Sequence, residues 1–335
     1  MKAFSSDNCS GIHPAVLAAI ANVNAGHARS YGYDETTAAA EALFRREFGD
    51  NIGVFFVLTG TAANVLGIKA LTKAHDAVIC AEESHLNSDE CGAPERIACK
   101  LIPAATHQGK LRPADLDACF LHRDEHRVRP KVISISQTTE WGTVYTPAEI
   151  RALSDYAHGR DCFLHVDGAR LANAAVAANA SLKDITAGVD VLSFGGTKNG
   201  IMCGEAVIFF GQRLAADFKF VRKQGMQLAS KMRFVSAQFV ALLTDELWKK
   251  NAAHSNAMAR LLAGSLGGNP RVKLMAPVEA NAVFAQVPAD SIEKIRKHFL
   301  FHVWDEHESI VRWMTTFDTT LEEVRAFADV IKANT

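Results

Sequence analysis

The chain has 335 residues, 48% of them hydrophobic and 22% charged, which is ordinary for a globular protein and enough for a large core with a second, smaller domain. Its 36 basic and 37 acidic residues leave a formal net charge of -1, so neither a nucleic acid nor an anionic membrane is expected as a partner. No apolar run approaches the ~20 residues of a membrane-spanning helix, and the stretch MKAFSSDNCSG lacks the apolar segment of a secretory signal. We therefore expect a cytoplasmic protein.

From residue 36 onward, segments with helical and strand patterns alternate. In chain order, the patterns predict a helix at 36–49, a strand at 53–58, a helix at 59–74, a strand at 76–81, a helix at 112–123, a strand at 129–136, a helix at 146–159, a strand at 162–166, a helix at 169–180, and strands at 189–194 and 205–210. Uniformly apolar strands between helices indicate a mostly parallel sheet that is covered by helices on both faces.

After about residue 245 the pattern changes. It predicts a helix at 256–268, short segments at 271–277, 281–287 and 309–317, and a final helix at 320–333. These shorter segments favour a smaller α+β unit. We predict a large α/β domain over residues 1–245 and a small C-terminal domain over residues 246–335.

Seven cysteines are scattered along the chain without a CxxC pair, and several lie inside apolar segments. They are typical of free thiols in a reducing compartment rather than of disulfides or a zinc site. His298 and His302 have the spacing to share a helix face, but no further cluster of ligand residues accompanies them. We expect no metal site.

Ligands of open α/β sheets bind beyond the carboxyl ends of the strands, so the residues that follow each predicted strand are the candidates. TGTAAN, residues 59–64, opens a helix whose free N–H groups suit a phosphate. Gly60 permits close approach of the backbone and Thr61 adds a hydroxyl. An ordinary helix cap is the alternative interpretation.

Two further predicted strands are followed by charged residues. Asp167 and Arg170, in DGAR, follow the strand at 162–166, where a helix cap and a surface charge are the alternatives. Lys198, in FGGTKNG, follows the strand at 189–194 among small neutral residues. It is either a lysine that extends from a loop into solvent or an amine that burial turns into a nucleophile.

Together, these three strand ends meet the needs of pyridoxal phosphate. The lysine forms a Schiff base with the aldehyde of this cofactor, and the aspartate keeps the pyridine nitrogen protonated so that the ring accepts electrons. Thr197, beside the lysine, can donate to the phosphate. The combination is far more specific than any one of its parts.

Several segments, spread from about residue 4 to 330, match the motifs of one enzyme family; they are FSSDN, YGYDETT, TGTAAN, SHLNSDECGAPE, GTVYTPAEI, HVDGAR, FGGTKNG and KMRF. The chain thereby resembles the threonine aldolase family of fold-type I pyridoxal-phosphate enzymes, and within it the low-specificity L-threonine aldolases. It departs from the wider family at Gln137, where many members have an asparagine that faces the cofactor, and at YGYDE, which replaces a more acidic stretch.

The resemblance implies that Lys198 carries the Schiff base, that Asp167 binds the pyridine nitrogen and that His85 stacks on the cofactor ring. Arginines suit a substrate carboxylate because their fork of N–H groups binds it bidentately. The other implied contacts are Gly60, Thr61 and Thr197 with the phosphate, Ser6, Arg170 and Arg312 with the substrate carboxylate, and Arg170 also with the cofactor.

Some implied contacts involve more than one chain. Lys223 and Arg233 match basic residues that approach the phosphate from a neighbouring subunit, and helix-surface charges are the alternative. The chain is therefore expected to be at least a dimer with shared active sites. The expected assembly is a homotetramer, a dimer of dimers, and the sequence does not decide between dimer and tetramer. His126 matches a histidine near the substrate hydroxyl.

The implied reaction is retro-aldol cleavage of a β-hydroxy-α-amino acid, such as L-threonine or L-allo-threonine, into glycine and an aldehyde. His85 is the first candidate for the base that removes the hydroxyl proton, and His126 is the second. The same residues would serve a β-eliminating lyase, a phenylserine aldolase or a racemase. A nucleotide-binding module is disfavoured because the chain has neither a GxGxxG after its first strand nor a P-loop.

Overall fold

The structure is a computed structural model that describes residues 2–121 and 124–335. Its strands are β1 (Ile52–Val57), β2 (Asp76–Ala81), β3 (Lys100–Ala104), β4 (Arg129–Ser136), β5 (Phe163–Gly168), β6 (Val191–Gly195), β7 (Glu205–Phe210), β8 (Lys273–Leu274), β9 (Ala282–Gln286), β10 (His302–Asp305) and β11 (Ile310–Met314). Its α-helices are α1 (Pro14–Asn22), α2 (Glu35–Phe48), α3 (Gly60–Leu71), α4 (His85–Ser88), α5 (Ala93–Ile97), α6 (Pro147–His158), α7 (Leu171–Ala177), α8 (Leu182–Ile185), α9 (Gln212–Ala215), α10 (Phe218–Gln224), α11 (Arg233–Leu243), α12 (Leu247–Ser265), α13 (Ala289–Arg296) and α14 (Leu321–Asn334). None of these helices is both long and apolar enough to cross a membrane.

The first seven strands form one sheet in the order β1-β7-β6-β5-β4-β2-β3. β7 runs antiparallel to both of its neighbours, and the other strand pairs are parallel. Val132 and Ile133, consecutive residues of β4, pack in different apolar clusters because successive side chains of a strand point to opposite faces. The sheet is thus covered on both faces, and the prediction of a mostly parallel, helix-covered sheet is confirmed.

One predicted element is wrong. In place of the helix at 112–123, the described part of this segment forms the short 3-10 turns Pro113–Asp115 and Asp117–Phe120, and residues 122 and 123 lie outside the described residues. Arg160 donates to the carboxylate of Asp117 at 2.6 Å. Side-chain partners of this kind, which lie outside the segment, favour short turns over a regular helix.

Strands β8 to β11 form a second sheet, which is antiparallel and has the order β10-β11-β9-β8. The start of the chain packs with it: Phe4 is fully buried, and its ring stacks on that of Phe327 at 4.3 Å. The N–H of Phe4 donates to the carbonyl of Leu300, and its carbonyl accepts from the N–H of Met314, both at 2.7 Å. The domain division at residue 245 stays a prediction. The structure adds that the start of the chain packs with the C-terminal residues, through the contacts of Phe4.

Candidate active site

The carboxyl ends of the parallel strands meet at one edge of the large sheet. Asp167 lies near the end of β5, and Glu205 reaches the same edge because it opens the antiparallel strand β7, paired with Gly195. Two adjoining cavities lie there, a first of about 330 Å³ and a second of about 370 Å³. Lys198, Asp167 and His85 line both, so the structure brings these three predicted residues together.

The first cavity lies over the start of helix α3. Thr59 caps this helix by accepting from the N–H of Ala62 at 3.2 Å, and Gly60 and Thr61 open its first turn. A Cβ atom on Gly60 would meet no atom within 4 Å, so space is open beside the free N–H groups of the helix. Thr197 borders the same cavity from the turn after β6. The predicted phosphate residues therefore surround one open space.

Lys198 follows β6 on the short turn Thr197–Asn199. No hydrogen bond from the described residues reaches its amine. The positive charge of Arg170, followed by burial, lowers the pKa of Lys198 and so favours the free amine that a nucleophile requires. A Cβ on Gly195 would collide with the backbone of Ala169, so glycine is needed where β6 approaches this loop.

A chain of hydrogen bonds links Asp167 to His85 through two buried residues. Asn64 donates to Asp167 at 2.8 Å and to Glu90 at 3.0 Å, and His85 Nδ1 donates to the same Glu90 oxygen at 2.8 Å. The N–H of Ala169 donates to the other oxygen of Asp167 at 3.0 Å. The bond to Glu90, followed by the negative charge of Asp167, raises the pKa of His85 against the effect of burial. Its imidazole is held in place, and the protonated form is favoured.

The second cavity contains an arginine with unused donors. Arg312, on β11, donates through Nη2 to the carbonyl of Ser5 at 3.3 Å, but its buried Nε has no partner among the residues described. Burial, followed by the charge of Arg170, lowers the pKa of Arg312 to about 10. An unpaired buried donor costs free energy that a bound carboxylate would recover. Ser6, which caps the turn Asp7–Cys9, lines the same cavity.

Arg170, which also lines the second cavity, is already paired within the chain. Its Nε and Nη2 lie 2.7 and 2.6 Å from Oδ2 of Asp7, and Asn281 donates to Oδ1 of Asp7 at 2.5 Å. Asp7 is buried. Sequence reasoning missed Asp7 as a functional residue, although it lies in the FSSDN motif, because nothing near it in the sequence reveals its partner.

Two carboxyl groups of the site, the half-buried Glu140 and the buried Glu205, were also missed. Ser136 Oγ and the N–H of His85 donate to Oε1 of Glu140 at 2.5 and 2.9 Å, and the N–H of Gly196 donates to Glu205 at 2.8 Å. Burial raises the pKa of each carboxyl to about 7. A charged residue at the start of the apolar segment EAVIFF is a signal that would have identified Glu205. Glu140 lies in a turn and carries no such signal.

Glu205→Gln is expected to change how stability depends on pH. The pKa of Glu205 is about 7 in the folded protein, whereas a glutamate of the unfolded chain titrates at about 4.3. The folded state therefore holds more protons across this window, and the wild-type free energy of unfolding loses at most about 1.4 kcal/mol per pH unit as the pH rises. The variant has no carboxyl here to titrate. The free energy of unfolding of the variant minus that of the wild type should therefore rise between about pH 4.3 and about pH 7 and level off above this range. Urea unfolding of both apoproteins across this range measures the difference, and parallel pH profiles would contradict the expectation.

Three predicted residues lie apart from the two cavities in the single chain. His126 is exposed in the loop before β4, at the amino end of a strand whose carboxyl end borders the site. Lys223 is exposed on α10, 5.6 Å from the ring of Tyr31, and Arg233 donates to the carbonyl of Gly26 at 3.4 Å. None of the three lines either cavity. Their roles in the site stay predictions.

Known proteins resemble the chain over nearly its whole length. The model of the beta-eliminating lyase family matches residues 3–290. The low specificity L-threonine aldolase of Pseudomonas aeruginosa is 45% identical to this chain, and the match covers 98% of this chain and 96% of that protein. The enzyme of the same name from a Pseudomonas species is 44% identical, and the match covers 98% of this chain and 97% of that enzyme. The solved threonine aldolase of Leishmania major matches with a TM-score of 0.95 at 31% identity, over 99% of each chain, which confirms the fold-type I architecture. The chain therefore belongs to the beta-eliminating lyase family and is a lyase similar to threonine aldolases in sequence and structure.

Proposed function

We propose that this lyase is a low-specificity L-threonine aldolase that uses pyridoxal 5'-phosphate to cleave L-threonine and L-allo-threonine into glycine and acetaldehyde. The observation that carries the proposal is the amine of Lys198, which has no hydrogen bond from the described residues and lines one cavity with Asp167. The identity of 45% to a low specificity L-threonine aldolase supports the choice of substrate.

The residues of the first cavity fit this cofactor. The open space beside Gly60 lies at the N-terminus of α3, where a phosphate is favoured, and the hydroxyl residues Thr61 and Thr197 line it. Asp167 offers a carboxylate to a protonated pyridine nitrogen, and Lys198 offers an amine to the aldehyde. The bound cofactor would withdraw the electron pair of the breaking Cα–Cβ bond into its ring.

The second cavity supplies the contacts for the substrate. Arg312 and Ser6 offer donors to a carboxylate, and Arg170 adds a second positive charge there. Held in this way, the substrate keeps the bond to be cleaved in a fixed orientation, which contributes much of the rate of such reactions. His85 lines both cavities, where it can stack on the cofactor ring. His126 would act only from a neighbouring chain.

We further propose a cytoplasmic homotetramer, a dimer of dimers, in which Lys223 and Arg233 of one chain approach the phosphate of another. Both residues lie outside the cavities of their own chain. Tyr33 and Phe220 line one cavity at the surface and expose 71% and 60% of their surface, and a contiguous exposed apolar patch is typical of a face that another protein covers.

Product analysis tests the function. The protein reconstituted with pyridoxal phosphate is expected to release glycine and the matching aldehyde in equal amounts from L-threonine, L-allo-threonine and phenylserine. The same protein without cofactor is the control and should release neither. Pyruvate or another oxoacid in place of glycine would identify a β-eliminating lyase, and a D-amino acid would identify a racemase; either result refutes the aldolase.

A further inference from the structure

Glu140 is a carboxyl group at the substrate end of the site that the reaction so far leaves without a role. It follows β4 and lines the second cavity together with Lys198 and Arg312. Two hydrogen bonds to its side chain, from Ser136 Oγ at 2.5 Å and from the N–H of His85 at 2.9 Å, reach the same oxygen, Oε1. Neither of these two bonds uses Oε2. One oxygen therefore anchors the group while the other is available to a ligand.

His85 is less suited to accept a proton here. Its Nδ1 donates to Glu90, whose side chain is fully buried, and this bond raises the pKa of His85. A raised pKa increases the share of the imidazolium form, which has no lone pair with which to take a second proton. Burial raises the pKa of Glu140 to about 7, so near neutral pH this carboxylate can both take up and return a proton.

We propose that Glu140 is the base that removes the proton from the β-hydroxyl of the substrate, an inference that rests on the proposed aldolase function. The O–H bond breaks and its proton passes to Oε2 of Glu140. The hydroxyl oxygen becomes the aldehyde oxygen while the Cα–Cβ bond breaks and leaves its electron pair with Cα. Cα then gains one proton, which balances the proton taken by Glu140 and yields glycine. No oxidant, reductant or water is consumed.

Glu140→Gln in the holoenzyme isolates this step. The amide oxygen can still accept from Ser136 and from the N–H of His85, so the local structure is kept while the proton acceptor is removed. We expect kcat for threonine cleavage to fall by about 100-fold or more. Exchange of the α-hydrogen of glycine with D2O needs the cofactor and Lys198 but no hydroxyl base, so it should continue at the wild-type rate.

The matched control is Glu82→Gln, because Glu82 is exposed in the loop after β2, and both rates should stay unchanged. A loss of cleavage below about tenfold in Glu140→Gln would overturn the proposal, since general base catalysis contributes more than this. An equal loss of cleavage and of glycine exchange would also overturn it, because the role would then be structural. A wild-type enzyme that exchanges glycine but releases no aldehyde from threonine would instead refute the aldolase function.

Discussion

Replacing Lys198 by alanine is expected to abolish threonine cleavage while the protein stays folded. No hydrogen bond from the part of the chain that the structure describes depends on this amine, so its removal leaves no local partner unsatisfied. Under the proposed function, Lys198 would hold the cofactor covalently and release it to the substrate, so loss of the amine would remove both steps. We expect kcat to fall by about 1,000-fold or more, as is common when a covalent nucleophile is removed.

Aldehyde release and far-ultraviolet circular dichroism, both measured on protein saturated with pyridoxal phosphate, check the two parts of this expectation. Lys250→Ala is the control, because Lys250 is an exposed lysine of α12, and it should behave as wild type. Aldehyde release by Lys198→Ala above a few per cent of the wild-type rate would mean that another amine performs the reaction.

Asp7→Asn is expected to have the second large effect, on stability and on substrate binding together. Asp7 has 4% of its surface exposed and holds both Nε and Nη2 of Arg170 within 2.7 Å. The variant leaves a largely buried guanidinium without its counter-charge, which should lower the free energy of unfolding by about 3 kcal/mol. KM for threonine should rise by about tenfold, because Arg170 is no longer held where a substrate carboxylate would bind.

Urea unfolding and steady-state kinetics measure these two quantities. Asp117→Asn is the control. The side chain of Asp117, which pairs with Arg160, is 66% exposed, so loss of this ion pair should lower the free energy of unfolding by less than about 1 kcal/mol and leave KM unchanged. If Asp7→Asn unfolds at the wild-type urea concentration with an unchanged KM, Asp7 neither stabilises the fold nor positions Arg170.

The sequence alone predicted which residues come together at one edge of the large sheet, and their roles in the site stay predictions. Gly60, Asp167 and Lys198 each follow an apolar segment, and the carboxyl ends of such strands meet at one edge of a parallel sheet, as the structure confirms. Short segments that are apolar throughout predicted these strands, because a strand that is buried on both faces has no polar side. The helix at 112–123 was wrong because helical spacing does not reveal carboxylates that bind partners outside the segment.

Only the tertiary structure decided how the groups around Lys198 are paired. Asp7 and Arg170 are 163 residues apart, and Arg312 meets the carbonyl of Ser5 across 307 residues. No local pattern encodes contacts over such separations, since they depend on how the packed elements bring distant segments together. The raised pKa values of Glu140 and Glu205 have the same origin, because burial is a property of the whole fold. Residue type and spacing therefore determined which chemistry this chain carries, and packing determined which of its charges are free to perform it.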